Sequence, residues 1–98
     1  MVNINKLMKQ AQQMQEKIAR EMEELRVEVT SGGGAVTVVM NGKKELLGLS
    51  IKKEAVDPDD LEMLEDLVKA AFNEALRRVD EEVGQQLGGL LPPGFPST

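Results

Sequence analysis

The sequence contains no cysteine, histidine, tyrosine or tryptophan, and only two phenylalanines. Without cysteine, disulfides and thiolate metal sites are excluded. Without histidine the usual general base for a serine or threonine nucleophile is missing. Because no catalytic constellation remains, we expect a protein that is not an enzyme and that uses no cofactor and no small-molecule substrate.

Long apolar runs are also absent. No stretch reaches the roughly 18 residues that a membrane span requires, and the N-terminus lacks the apolar segment of a secretory signal. The lack of cysteine fits a reducing compartment. We therefore expect a cytoplasmic protein with no membrane contact.

The scarcity of aromatic side chains limits the hydrophobic core. At 98 residues the chain is one domain and buries only a modest fraction of its surface. Its core must be aliphatic and rich in methionine, and dimerisation would relieve the shortage of apolar surface to bury.

Charge is distributed unevenly along the chain. The total of −5 argues at first against a nucleic-acid partner. However, the first 20 residues carry four basic side chains and one acidic one, whereas residues 57–98 carry ten acidic and three basic ones. The N-terminal segment is therefore locally positive in an acidic protein.

Residues 1–25 are predicted to form the first helix, with Asn3 or Asn5 as its N-cap. Apolar side chains recur there at steps of three and four, as in a heptad repeat, and occupy one side. The opposite side carries what we call the basic row, with Gln10 beside it: Lys6, Lys9, Gln13, Lys17 and Arg20. A solvated helix face and a phosphate-binding ridge explain this row equally well at this point.

Residues 26–51 are predicted to form three strands in an antiparallel meander, because apolar and polar side chains alternate. The glycines at 32–34 predict a flexible turn, since the Gly-Lys-Ser/Thr and helix of a phosphate-binding loop do not follow. Asn41-Gly42 predicts a type I′ hairpin turn in which both residues have positive φ. One face of each strand is expected to be apolar: Val27 and Val29, then Val36, Val38 and Met40, then Leu47, Leu49 and Ile51.

Residues 57–83 are predicted to form a long second helix, with Asp57 as N-cap, Pro58 in the first turn and Gly84 as the stop. The acidic residues at its start suggest a metal cluster, but the calcium-loop pattern fails and the helix macrodipole favours acids there, so we expect no metal. Ion pairs are expected at Glu65–Lys69, Glu74–Arg78 and Arg77–Glu81. The apolar face comprises Leu61, Leu64, Val68, Ala71, Phe72, Ala75, Val79 and Val83.

Residues 84–98 are rich in glycine and proline and are predicted to form an extended tail. Four apolar side chains in it favour docking on the same domain or on a partner subunit, with disorder as the alternative: Leu87, Leu90, Leu91 and Phe95. The sequence thus predicts a single α+β domain with an N-terminal helix, a three-stranded antiparallel meander, a long C-terminal helix and an extended tail, assembled as a homodimer.

Several runs of the chain resemble the YbaB/EbfC family of bacterial nucleoid-associated proteins. They are Leu7–Gln15, Asn41-Gly42, Leu64–Val68, Ala70–Ala75 and Pro92–Phe95, and the resemblance covers nearly the whole chain. It implies a homodimer whose paired helices project like tweezers from a central sheet. It also implies binding of double-stranded DNA with little or limited sequence preference and a place in the nucleoid.

Two hypotheses of function follow. In the first, the basic side chains of both subunits hold DNA phosphates, while Gln10 and Gln13 donate hydrogen bonds or read bases. Modulation of transcription is an open addition to this role. In the second, the protein is an adaptor that binds other proteins through the heptad-like face and the apolar C-terminal tail, without DNA. Salt-sensitive binding to random duplex would distinguish the two.

Overall fold

The structure is a computed structural model that describes residues 3–87. Its elements are α1 (Ile4–Glu24), β1 (Val27–Ser31), β2 (Val36–Met40), β3 (Leu46–Ile51), a 3-10 turn (Lys53–Ala55) and α2 (Leu61–Leu87). The strands form one antiparallel sheet in the order β1-β2-β3. The predicted α+β architecture is confirmed, whereas the predicted tail from residue 88 onward lies outside the described residues.

The core lies between the sheet and α2, which packs across β1 and β2. The alternation predicted for these strands is confirmed, since one side chain in two points into the core. Burying a valine or methionine side chain stabilises a fold by about 1.5–3 kcal/mol. The buried apolar residues are Val27, Val29, Val36, Val38, Met40, Ala71, Ala75 and Val79.

The apolar face of β3 is not covered by α2. Leu49 pairs with Val38, and Ile51 pairs with Val36, so both extend the apolar face of β2. Yet Leu49 is 48% exposed and Ile51 is 38% exposed. A bulge pairs Leu46 rather than Leu47 with Met40, which interrupts the strict alternation predicted for this strand. The described part of the chain therefore leaves one third of its sheet without apolar cover.

The glycine run forms the turn between β1 and β2, as predicted. Gly32, Gly33 and Gly34 have φ values of 60°, 67° and 97°. Residues that carry a side chain rarely adopt this left-handed backbone region. Glycine therefore allows the chain to reverse direction here.

The turn between β2 and β3 differs from the predicted type I′ hairpin. Neither Asn41 nor Gly42 has positive φ; Lys44 does, at 64°. The Lys44 amide donates a hydrogen bond to the Asn41 carbonyl over 3.0 Å, and the Asn41 amide donates to the Glu45 carbonyl over 3.2 Å. We call this five-residue segment, Asn41–Glu45, the β2–β3 loop. The prediction was wrong because Gly42 serves a close approach to α1 rather than a left-handed turn.

The second helix is displaced along the chain from its predicted span. It begins at Leu61 instead of following Asp57, because the Asp57 carboxylate accepts a hydrogen bond from the Asp59 amide in a preceding turn. It also continues through Gly84 to Leu87, so that glycine does not end it. Phe72, expected in the core, is 37% exposed beside the buried Ala71.

Neither helix in residues 3–87 contains a stretch that is both long and apolar enough to cross a membrane.

Candidate nucleic-acid interface

Helix α1 projects from the body of the protein as an arm. It has 21 residues, none of them buried, and is about 31 Å long at 1.5 Å per residue. The described residues extend over 72 × 24 × 16 Å, and the long axis contains both this projection and the 27-residue α2. The side chain of Asn3 accepts a hydrogen bond from the Lys6 amide over 3.1 Å, so Asn3 rather than Asn5 caps the helix.

The basic row lies along one side of this arm. Its residues follow one another at steps of three and four, so the helix brings them onto one face, which spans about 21 Å from Lys6 to Arg20. Every one of them is exposed, as is Gln10. Among the ion pairs of residues 3–87, none involves Lys6, Lys9, Lys17 or Arg20. The helix thus presents four cations without a carboxylate partner in the described chain.

Acidic side chains border the row near the body. Basic and acidic side chains together line an open groove of about 500 Å³. Its lining residues are Gln13, Lys17, Arg20, Glu21 and Glu24. Glu24 lies four residues beyond Arg20 and therefore on the same side of the helix. The positive field is consequently strongest toward the free end of the arm, around Lys6 and Lys9.

The opposite side of the arm is apolar and exposed. Ile4 is 69% exposed, Leu7 52%, Met8 58% and Met14 44%. The heptad-like spacing predicted this face, but no other element of residues 3–87 covers it. A contiguous apolar face of this kind on a helix marks a site of association with another surface.

The arm is joined to the body at its C-terminal end. The Gly42 amide donates a hydrogen bond to the Met22 carbonyl over 2.7 Å. The Lys43 ammonium lies 2.7 Å from a carboxylate oxygen of Glu23. The hydrogen bond from Lys43 holds the pKa of Glu23 below its usual value, and Glu23 in turn raises the pKa of Lys43. Sequence reasoning missed these contacts; the Asn-Gly pair was the only signal, and it was interpreted as a turn.

Some basic side chains of the body, unlike those of the arm, are paired with acids. Lys44 lies 2.9 Å from a carboxylate oxygen of Asp80. Arg77 pairs with Glu74 at 2.5 Å and with Glu81. The hydrogen bond from Arg77 lowers the pKa of Glu74, while these two acids raise the pKa of Arg77. The predicted Arg77–Glu81 pair is therefore present, and Glu74 pairs with Arg77 rather than with Arg78.

The arrangement is suited to a polyanion rather than to a small ligand. Unpaired cations on a straight exposed helix attract phosphates at any point along a nucleic-acid strand. The groove beside Lys17 and Arg20 is open and does not enclose a ligand. The amides of Gln10 and Gln13 add donors and acceptors on the same side.

Comparison with known sequences identifies relatives over almost the entire chain. A sequence model described as the YbaB/EbfC DNA-binding family matches residues 1–95. A protein named as nucleoid-associated from Clostridium novyi is 52% identical over 101 residues, covering 96% of this chain and 89% of that protein. Another from Lachnoclostridium phytofermentans is 54% identical over 91 residues, covering 90% of this chain and 76% of that protein.

A solved structure has the same fold. The crystal structure of an uncharacterized protein from Helicobacter pylori matches with a TM-score of 0.68 and 24% sequence identity. The match covers 87% of this chain and 99% of that one. At this level of identity the comparison speaks for the fold alone.

Proposed function

The chain belongs to the YbaB/EbfC DNA-binding family, and we propose that it binds duplex DNA as a homodimer, with little or limited sequence specificity, and helps to organise the nucleoid in the cytoplasm. One observation carries this proposal: the exposed basic row has no acidic partner within residues 3–87. The relatives named as nucleoid-associated proteins support the same role. They do not favour the protein–protein adaptor.

Dimerisation is supported by the apolar surface that the described chain leaves exposed. One side of α1 and the β3 part of the sheet are both apolar, and α2 covers neither of them. A two-fold interface would bury the same patch on both subunits. The dimer would then carry two basic rows, one on each α1. Each arm would then keep its basic side for DNA, because the apolar side faces the opposite way on the helix.

Phosphate contacts account for the weak sequence preference. The four cations of the basic row form ion pairs with phosphates, and phosphates are the same in every DNA sequence. Gln10 and Gln13 reach base edges or phosphate oxygens as hydrogen-bonding partners. The acidic α2 helix must face away from the duplex, since like charges would raise the free energy of the complex.

Charge reversal on the arm tests this proposal. Lys9→Glu combined with Lys17→Glu should lower the affinity for a random-sequence duplex by more than about tenfold at low salt. The matched control, Lys53→Glu with Lys69→Glu, makes the same change of net charge on the body. Fluorescence anisotropy measures the affinity, and light scattering verifies the oligomeric state. Equal affinity of wild type and arm variant, with the assembly unchanged, would rule out the basic row.

The choice of duplex over single strand is tested by competition. Unlabelled duplex and unlabelled single strand of the same sequence should displace the labelled duplex with different efficiency, the duplex being the stronger competitor. A basic row of about 21 Å spans roughly six base pairs of rise along one strand at 3.4 Å each. Stronger competition by the single strand would contradict the duplex assignment.

A further inference from the structure

The β2–β3 loop joins the arm to the rest of the protein. Beside the chain connection through Leu25 and Arg26 and a groove that the end of α1 shares with Gln86 of α2, two loop contacts hold α1, Gly42 to Met22 and Lys43 to Glu23. Both involve the last turn of the helix. The direction in which the arm leaves the body therefore depends on where this loop lies.

The loop has a defined shape because a buried side chain holds it. Asn41 is only 3% exposed, and its side-chain oxygen accepts hydrogen bonds from the amides of Lys43 and Glu45, both over 3.0 Å. Its side-chain nitrogen donates to a carboxylate oxygen of Glu45 over 2.9 Å. Lys44 connects the loop to Asp80 of α2. Such a network leaves the loop little freedom to follow a moving arm.

Gly42 lies in direct backbone contact with α1. A Cβ atom at this position would be 2.8 Å from the Met22 carbonyl oxygen and 2.9 Å from the Met22 Cα. Both atoms belong to the backbone, so no side-chain rotation relieves the overlap. Any side chain at position 42 must push the loop and the helix apart.

The length of the arm amplifies a small change at its base. Met22 and Lys6 are separated by about 24 Å along the helix. A tilt of about 10° at Met22 would thus move Lys6 by roughly 4 Å, which exceeds the length of a hydrogen bond. Basic rows on two such arms would be displaced relative to the phosphates they contact.

We propose that the β2–β3 loop is a positioning element that sets the angle of α1, and through it the separation of the two basic rows that hold DNA. This inference rests on the proposed function. Asn41 and Gly42 are its positioning residues, since they touch no DNA themselves and act through the orientation of the arm.

The distance between the arms provides the test. Because the chain has no cysteine, Gln12→Cys introduces a single exposed site for a nitroxide label on each arm. Pulsed dipolar spectroscopy on the full chain then measures the distance between the arms of one dimer. Gly42→Ala should shift this distance by several ångströms and lower the duplex affinity about tenfold, with the dimer intact.

Gly48→Ala is the matched control. Its added Cβ would lie at an ordinary contact distance of 3.6 Å from the Cβ of Val39. It should leave both the inter-arm distance and the affinity at their wild-type values. Asn41→Ala is a second variant, should Gly42→Ala fail to fold. It removes the network that shapes the loop and should broaden the distance distribution while weakening DNA binding.

The outcomes separate this inference from the proposed function. An unchanged distance in both loop variants would overturn the positioning role, whatever their affinity. A changed distance with wild-type affinity would overturn the link between arm angle and binding. If wild type itself fails to bind duplex at low salt, the proposed function falls, whereas a shifted distance would still show that the loop orients the arm.

Discussion

The carboxylate of Asp60 accepts a hydrogen bond from the backbone amide of Met63 over 3.2 Å. This contact occupies one of the free amides in the first turn of α2, which begins at Leu61. Asp60 therefore caps the helix. Asp57, which precedes Pro58, instead accepts a hydrogen bond from the Asp59 amide in the turn before the helix.

The first prediction concerns this cap. Asp60→Ala should lower the free energy of unfolding by about 1 kcal/mol, because the Met63 amide loses its acceptor. Asp57→Ala is the matched control, since it removes the same charge nearby and should cost less. Urea denaturation followed by circular dichroism measures both. A larger loss for Asp57→Ala would place the cap at the residue that the sequence suggested.

The second prediction concerns salt. If both basic rows of a dimer engage phosphates, the slope of log affinity against log salt concentration should be about −7. Lys9→Gln with Lys17→Gln removes half of these cations and should reduce the slope by about half. Anisotropy titrations over a range of salt concentrations provide the measurement. Lys53→Gln with Lys69→Gln should leave the slope unchanged, and a wild-type slope near zero would contradict phosphate binding.

The third prediction concerns the uncovered face of the sheet. Leu49→Asp should convert the proposed dimer into a monomer, because a carboxylate buried in an apolar interface loses its hydration without gaining a partner. Met63→Asp makes a comparable change at a site that is 45% exposed on α2, and should leave the dimer intact. Light scattering coupled to size-exclusion chromatography distinguishes the two. A dimeric Leu49→Asp variant would place the interface elsewhere.

The fourth prediction concerns acid. The hydrogen bond from Arg77 holds the pKa of Glu74 below 4.5 in the folded protein. The Glu74 carboxylate therefore binds a proton less readily in the folded state than in the unfolded state. The Arg77–Glu74 pair thus adds stability above pH 4.5, and this stability disappears as the pH falls through the lowered pKa of Glu74. Glu74→Gln should lower Tm near neutrality, where the pair is formed, and should flatten the dependence of Tm on pH below 4.5. A steeper acid dependence in the variant would contradict this assignment.

Much of the fold follows from periodicity in the sequence. Steps of three and four predict both helices, and alternation predicts the strands, because a side chain's position along a helix or strand decides which face it occupies. The basic row on α1 was predictable for the same reason. Local hydrogen bonding was harder to predict: the sequence indicated Asp57 as the cap, but Asp57 accepts from the Asp59 amide in a preceding turn and Asp60 accepts from the Met63 amide of the helix.

The sequence by itself determined the elements, their faces and the family to which the chain belongs, since these depend on residues close together along the chain. Only the tertiary structure decided that α2 covers β1 and β2 but not β3, and that Gly42 lies against Met22. Both relationships join residues far apart in sequence, where no spacing rule operates and packing sets the outcome. A glycine tolerated by a turn and a glycine demanded by a neighbouring backbone look identical in the sequence, and only the contact of Gly42 with α1 tells them apart.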